Sequence, residues 1–291
     1  MEEYIFGIIH GVIESKRIIA IRQKKRIRFY YMSKSMFKQF MQYFQSGTYI
    51  FMNIKQQERL YRGLIVQNIV AIDKLLAPNK NKPTIYYDIS IIKSGIKSII
   101  NQNRYRLFID FEMSMPPYNN YQNFISEIIQ VGYVLTDESG NKIEELSSYI
   151  KPKLVPEISI RTKKFLHIEQ SNVDSGETYE FLHSNLLRIQ KRYNPICYVW
   201  GKNDQLELNK LNKIHKLSNF TRHMQFIDLL NLHKLYYGLK NDLGLFNAYN
   251  LYSDEDLSKQ KHDALEDALV TKEIFYAFKD VCNNRRIVNL E

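Results

Sequence analysis

Arg106-Leu107-Phe108-Ile109-Asp110-Phe111-Glu112 is the stretch on which the reading of this chain turns. Its apolar run has the pattern of a short buried strand, and it closes on two carboxylates. Residues i and i+2 of a strand point to one face, so Asp110 and Glu112 project together from its C-terminal end. Ligand sites in open α/β sheets commonly lie at that end. Two carboxylates held this close raise each other's pKa, and a divalent cation between them removes the conflict. Taken alone, the pair is read first as two solvated acids at a strand end.

Beyond this stretch, strand and helix patterns alternate. Ile128 to Leu135 reads as a second strand, Asp137-Glu138-Ser139-Gly140 as a hairpin turn and Ile143 to Ile150 as a third strand. Phe181, Leu182, Leu186 and Ile189 give Thr178 to Tyr193 a helical period. Ile196 to Trp200 and Gln225 to Leu229 read as strands, and Gln205 to Ile214 and Asp263 to Phe278 as helices. A meander followed by alternation predicts an α/β domain with a mixed sheet. Two more pieces carry polar chemistry. Trp200-Gly201-Lys202-Asn203-Asp204 follows a strand and opens a helix, where a single Asp is ordinarily an N-cap. In His262-Asp263-Ala264-Leu265-Glu266-Asp267, Asp267 lies within a helix and His262 just before it, within reach of the same pocket. Asp263 fits a helix cap and Glu266 a surface position.

In combination these pieces resemble the DEDDh group of 3′-5′ exonucleases. The matching order is Asp110-x-Glu112, then Asp204, then His262-x-x-x-x-Asp267. Glu127 to Gly132 (EIIQVG) resembles the family's second-strand signature, and Phe226-Ile227-Asp228-Leu229 its strand before the closing helices. Leu243 to Ala248 resembles its short helix, and Ala264, Ala268 and Thr271 fit around the last motif. The Trp200-Gly201-x-x-Asp204 form is similar to the Eri-1-like and KapD-like subgroup, which trims RNA 3′ ends. Met113 and Ser114 depart from the family, which often has Thr after the first acid pair. The resemblance implies a ribonuclease-H-like sheet flanked by helices over residues 104–291. It also implies two Mg²⁺ or Mn²⁺ ions held by Asp110, Glu112, Asp204 and Asp267, with His262 as general base. The expected reaction releases 5′-mononucleotides from the 3′ end of single-stranded RNA or DNA, RNA being favoured by the Trp200-Gly201 form. Phe111 is expected in the core because it faces away from the acids, Met113 packs near the terminal base, and Lys202 and Lys261 are candidates for phosphate contact.

Residues 1–103 differ in kind. They hold 17 Lys and Arg against 6 Asp and Glu, while the rest of the chain is nearly balanced at 24 against 25. The entire excess of +10 therefore comes from the first third, which favours a polyanionic partner there. Ile18 to Ile21 is an apolar run, and Ile27, Phe29 and Tyr31 alternate with Arg26, Arg28 and Tyr30. Ser33 is placed to cap a helix through about Phe44, and Tyr49 to Ile54 and Leu60 to Ile72 read as two more strands. Three strands, a helix and two strands is the order of an OB-like barrel and of other small α+β domains. A small basic β-rich nucleic-acid-binding domain is expected over 1–103, and Tyr86 to Ile100 reads as a connecting helix.

No apolar run approaches the ~20 residues of a membrane span, and Glu2 and Glu3 stand where a signal peptide would be basic. Cys197 and Cys282 fit no disulfide or metal pattern, so a reducing cytoplasmic setting is expected. Two other readings share these residues: a non-catalytic binding module, and a polymerase proofreading subunit. The complete set of five chemical residues argues against the first.

Overall fold

The computed structural model describes residues 1–78, 84–119, 123–239, 241–253 and 262–288. Two compact units divide at Gly95/Ile96, inside a helix and upstream of residue 103.

In the first unit, β1 (Glu2–Ile13) leads through a 3-10 turn at Glu14–Lys16 to β2 (Ile18–Gln23) and β3 (Arg26–Tyr31). α1 (Lys34–Phe40) begins where the Ser33 hydroxyl accepts the Met36 N–H. It stops at Phe40, short of Phe44, because the chain tightens into a 3-10 turn at Met41–Tyr43. β4 (Tyr49–Tyr61) and β5 (Leu64–Leu76) form a long hairpin, and β6 (Ile85–Asp88) runs into α2 (Ile89–Ile100). Sheet order is β3-β2-β1-β4-β5-β6, and a parallel pairing of β3 with β5 closes the first five strands into a barrel. With a helix between its third and fourth strands, this is an OB-like arrangement. Ile5, Ile9, Ile19, Ile21, Tyr30 and Ile50 fill the barrel, and Phe37, Phe40 and Phe44 pack against them.

The β4–β5 hairpin turns at Arg62-Gly63, where both residues have positive φ (49° and 83°), not between Ile54 and Leu60. Such a two-residue turn matches the twist of the strands it joins. Lys55 to Leu60 is exposed throughout, so it lacks the alternation that marks a half-buried strand.

The second unit opens with a meander of β7 (Arg106–Met113), β8 (Ile128–Thr136) and β9 (Lys142–Tyr149). Two short helices, α3 (Ile160–Leu166) and α4 (Gln170–Asp174), cross to α5 (Tyr179–Tyr193). Then come β10 (Ile196–Val199), α6 (Asn203–Ile214), β11 (Gln225–Asp228), α7 (Leu229–Tyr237), α8 (Leu245–Tyr249) and α9 (Ala264–Cys282). The sheet order is β11-β10-β7-β8-β9, parallel at β11-β10-β7 and antiparallel at β7-β8-β9. That mixed sheet flanked by helices is the ribonuclease-H-like fold.

The two faces of β7 have different work. Leu107, Ile109 and Phe111 enter the main core with Leu182, Leu186 and Ile189 of α5 and Leu208 and Leu211 of α6. The opposite face meets α9: Phe108 packs edge-on to Phe275, and the Arg106 guanidinium lies 5.3 Å from the same ring. Asp110 and Glu112 continue that second face, so the helix that covers it reaches them too. Cys197 and Cys282 are both buried. No helix among the described residues is long and apolar enough to cross a membrane.

Candidate active site

Three elements bring the expected residues together. Asp110 and Glu112 come from β7, Asp204 from the first turn of α6 and Asp267 from the first turn of α9, with His262 immediately before α9. Asp204 is not the N-cap; Lys202 is, and Asp204 lies buried two residues on. The turn into α6 depends on Gly201, whose φ of +110° is open to glycine and strained for any other residue. Its N–H donates to Asp228 Oδ1 at 3.1 Å, and the same carboxylate caps α7 through the Asn231 N–H. Trp200 fixes the other side by donating from Nε1 to the Leu243 carbonyl at 3.0 Å.

Burial and mutual charge dominate the electrostatics. Asp110 is pushed well above the usual carboxylate range, first by desolvation and then by the charges of Asp204, Asp267 and Glu112. Glu112 is raised to about 8 by desolvation and by Asp267, Asp204 and Asp263. Desolvation lifts Asp204 to about 7, although backbone amides, including that of Phe111, pull it back. His262 is lowered by burial and then by the nearby His167. Its Nδ1 stands 4.0 Å from Glu112 Oε1, and donor atoms of Glu112, His262 and Asp267 all lie within 4.8 Å of one another. A group of carboxylates that raise one another's pKa is a fit for divalent cations, whose charge would stabilise the ionised forms. Oxygen donors suit hard ions such as Mg²⁺ or Mn²⁺.

Three further residues hold the site, and the sequence assigned none of them a role. Gln130 Nε2 donates to Asp263 Oδ2 at 2.7 Å, while Asp263 Oδ1 caps α9 by accepting the Leu265 and Glu266 N–H groups. β8 thereby fixes the end of the helix that carries Asp267. Gly132 lies opposite Asp110 in the sheet, and the α9 backbone rests directly on it: an added Cβ would be 2.0 Å from the Leu265 nitrogen. Phe165, from α3, packs its ring 4.3 Å from that of His262. His262 itself has φ +50°, a conformation costly for a non-glycine residue and often found at functional positions. Only the Gln and Gly of EIIQVG gave a hint of the first two contacts. Residues 151–177, which supply Phe165 and His167, showed no periodic pattern.

The remaining expectations fall out simply. Glu127 accepts the N–H groups of Lys153, Leu154 and Val155, so it clamps a loop. Phe111 is core, and Met113 packs against the same cluster. Lys202 is exposed, and Lys261 lies outside the described residues.

Comparison with known proteins places the geometry in a family. A family model described as exonuclease (RNase T) matches residues 107–275. The probable 3′-5′ exonuclease KapD of Bacillus subtilis (strain 168) is 33% identical over 170 residues, 58% of this chain and 82% of that protein. The nuclease domain of 3′hExo, a DEDDh family member solved with rAMP, aligns with a TM-score of 0.54 at 19% identity, covering 65% of this chain and 98% of that one. A 3′-exonuclease solved with histone mRNA stem-loop aligns with the same TM-score and identity, over 64% of this chain and 67% of its own.

Proposed function

The chain belongs to the RNase T exonuclease family and is a 3′-5′ exonuclease, and from that premise we propose that it trims single-stranded RNA with Asp110, Glu112, Asp204 and Asp267 holding two Mg²⁺ or Mn²⁺ ions and His262 as general base. The observation that carries the assignment of roles is the convergence of four carboxylates from three separate elements, in which Asp204 and Asp267 raise the pKa of both Asp110 and Glu112. Divalent cations bound there would supply Lewis-acid charge for the scissile phosphate. Asp110 and Glu112 share one face of β7. Asp204 and Asp267 approach from the helices on either side.

His262 takes the proton of the attacking water. Its pKa, held below the ordinary imidazole value of 6.5 by burial, favours the neutral ring, able to accept, at neutral pH. Phe165 against its ring limits the orientations it can take. Attack at the last phosphodiester releases a nucleoside 5′-monophosphate and leaves a new 3′-hydroxyl. The preference for RNA rests on the Trp200-Gly201 form, and it is supported by the rAMP and histone mRNA stem-loop with which the two structural neighbours were solved. The basic barrel is read as a part that binds the polynucleotide, a reading supported by its charge and by its OB-like topology.

The test is a degradation time course on 5′-labelled single-stranded RNA and DNA of one sequence, with Mg²⁺, Mn²⁺ or EDTA, for wild type and Asp110→Asn. A 3′-end ladder is expected on RNA first, abolished by EDTA and by the substitution. Equal ladders in EDTA would refute the metal assignment, and faster loss of DNA would refute the RNA preference.

A further inference from the structure

The outer surface of the barrel has a groove of about 840 Å³ along β1, β2 and β4. Three aromatic side chains line it and face water: Tyr4 is 56% exposed, Phe6 66% and Tyr49 42%. They are not misplaced core. Ile5 and Ile9 of the same strand fill the barrel, and alternation sends Tyr4, Phe6 and Ile8 outward. Strand register arranges them into rows. Ile8 lies opposite Tyr49 on one side and Arg22 on the other, and Arg22 lies opposite Ile27. In the next row Phe6 faces Phe51, and their rings stack with centroids 5.8 Å apart.

The other wall is basic. Arg22, Arg26 and Arg28 come from β2 and β3, and Lys24-Lys25 forms the turn between them. Among the described residues, no carboxylate lines the groove. Lys24 holds φ +55° in that turn, a conformation Gly or Asn would adopt at less cost. Single exposed apolar residues need no explanation, but three rings in one concave groove whose charged lining residues are all basic match a specific chemistry. The ligand must offer negative charge at regular intervals and flat apolar groups. Single-stranded nucleic acid offers both, whereas a duplex keeps its bases stacked inward. An anionic membrane would suit a protruding apolar face better than a concave one.

A second aromatic and basic cluster on the barrel lacks this feature. There Tyr31 and Tyr61 are already covered: the Arg59 guanidinium lies 4.6 Å from one ring and 5.0 Å from the other, and Arg17 and Arg62 add further cover. Rings whose faces are occupied offer less to a base.

We propose that the Tyr4–Phe6–Tyr49 groove is a single-stranded nucleic-acid binding site, in which the rings stack on bases and the arginine and lysine wall holds phosphates. It rests on the reading of the barrel as a nucleic-acid-binding unit and locates that activity. The experiment measures binding of the full chain to 5′-fluorescein oligouridylate, longer than the ~4–16 nucleotides of one OB-type site, by anisotropy in EDTA at several salt concentrations. Phe6→Ala and Tyr4→Ala should each weaken binding about fivefold or more, which is ~1 kcal/mol at 1.4 kcal/mol per tenfold. Arg28→Ala should flatten the salt dependence by roughly 0.7 in log–log slope, one phosphate contact on a single strand. Arg59→Ala should change binding by less than about twofold. Wild-type affinity in Phe6→Ala and Tyr4→Ala overturns the site. If Arg59→Ala alone weakens binding, the barrel grips through its other face and only the groove is wrong. If none of the four variants differs from wild type, the nucleic-acid reading of the barrel fails as well. Capture by phosphatidylserine vesicles that is lost in Phe6→Ala, with oligonucleotide binding intact, would also overturn it.

Discussion

Replacing Gly132 by alanine should damage activity far more than stability. The added Cβ would lie 2.0 Å from the Leu265 nitrogen and 2.1 Å from the Ala264 carbonyl carbon, both backbone atoms that cannot swing aside. Ordinary contact begins at 3.4 Å, so the start of α9 must withdraw by about 1.4 Å, or β8 must bend by as much. Overpacking of this kind costs ~1–3 kcal/mol. For a unit of this size that corresponds to a fall in Tm of roughly 2–12 °C. The same movement carries Asp267 and His262 away from Asp110, which sits opposite Gly132 in the sheet. Displacing reacting groups by ~1 Å can cost about 100-fold in rate. The assay pairs differential scanning calorimetry with single-turnover cleavage of 5′-labelled RNA at saturating metal. Gly95→Ala is the control, because open space surrounds that helical glycine and its Tm should hold or rise. If Gly132→Ala cleaves within twofold of wild type and keeps its Tm, close contact of α9 with β8 does not set the site.

Two more outcomes follow from the site's electrostatics. In the fold, Glu112 titrates near 8 and Asp204 near 7, above their ordinary 4.5 and 3.8. The folded protein then binds more protons than the unfolded chain between about pH 4 and 8, so metal-free stability should fall as pH rises across that window. Mn²⁺ should raise Tm much more at pH 8 than at pH 5; a metal-free Tm independent of pH would refute the repulsion. His262, lowered from 6.5 by burial and by His167, should place the acid limb of the rate profile below pH 6.5. His167→Gln removes the repulsion, so that limb should move to higher pH; an unmoved limb would show that His167 has no hold on the base.

Much of this was legible because chemistry at fixed spacing is local. Asp110-x-Glu112 needs only the two-residue period of a strand, and His262 with Asp267 only the first turn of a helix. The apolar strands of the second unit were equally plain, since β8 is buried along its whole length. What escaped was contact between distant segments. Gln130 reaches Asp263 across 133 positions, and Phe165 comes to His262 from a short helix with no long apolar stripe. Lys55 to Leu60 escaped for the opposite reason: water on both faces leaves no pattern to read.

That stretch of β4 has a consequence for how the protein behaves in company. β1 pairs with β4 only from Tyr49 to Lys55, and a single further bond joins Gln56 N–H to the Met1 carbonyl. Beyond it, the side of β4 turned away from β5 meets no other strand among the described residues. A bare strand edge is a template for another chain, and barrels ordinarily avoid the hazard by closing completely. Here Lys55-Gln56-Gln57-Glu58-Arg59 lines the exposed rim. Charges and amides on both faces make a dry second strand costly to add, and an irregular register near Ile54 to Glu58 interrupts the flat ladder such a strand would need. The polar run that hid this strand from pattern reading is therefore its protection against self-association.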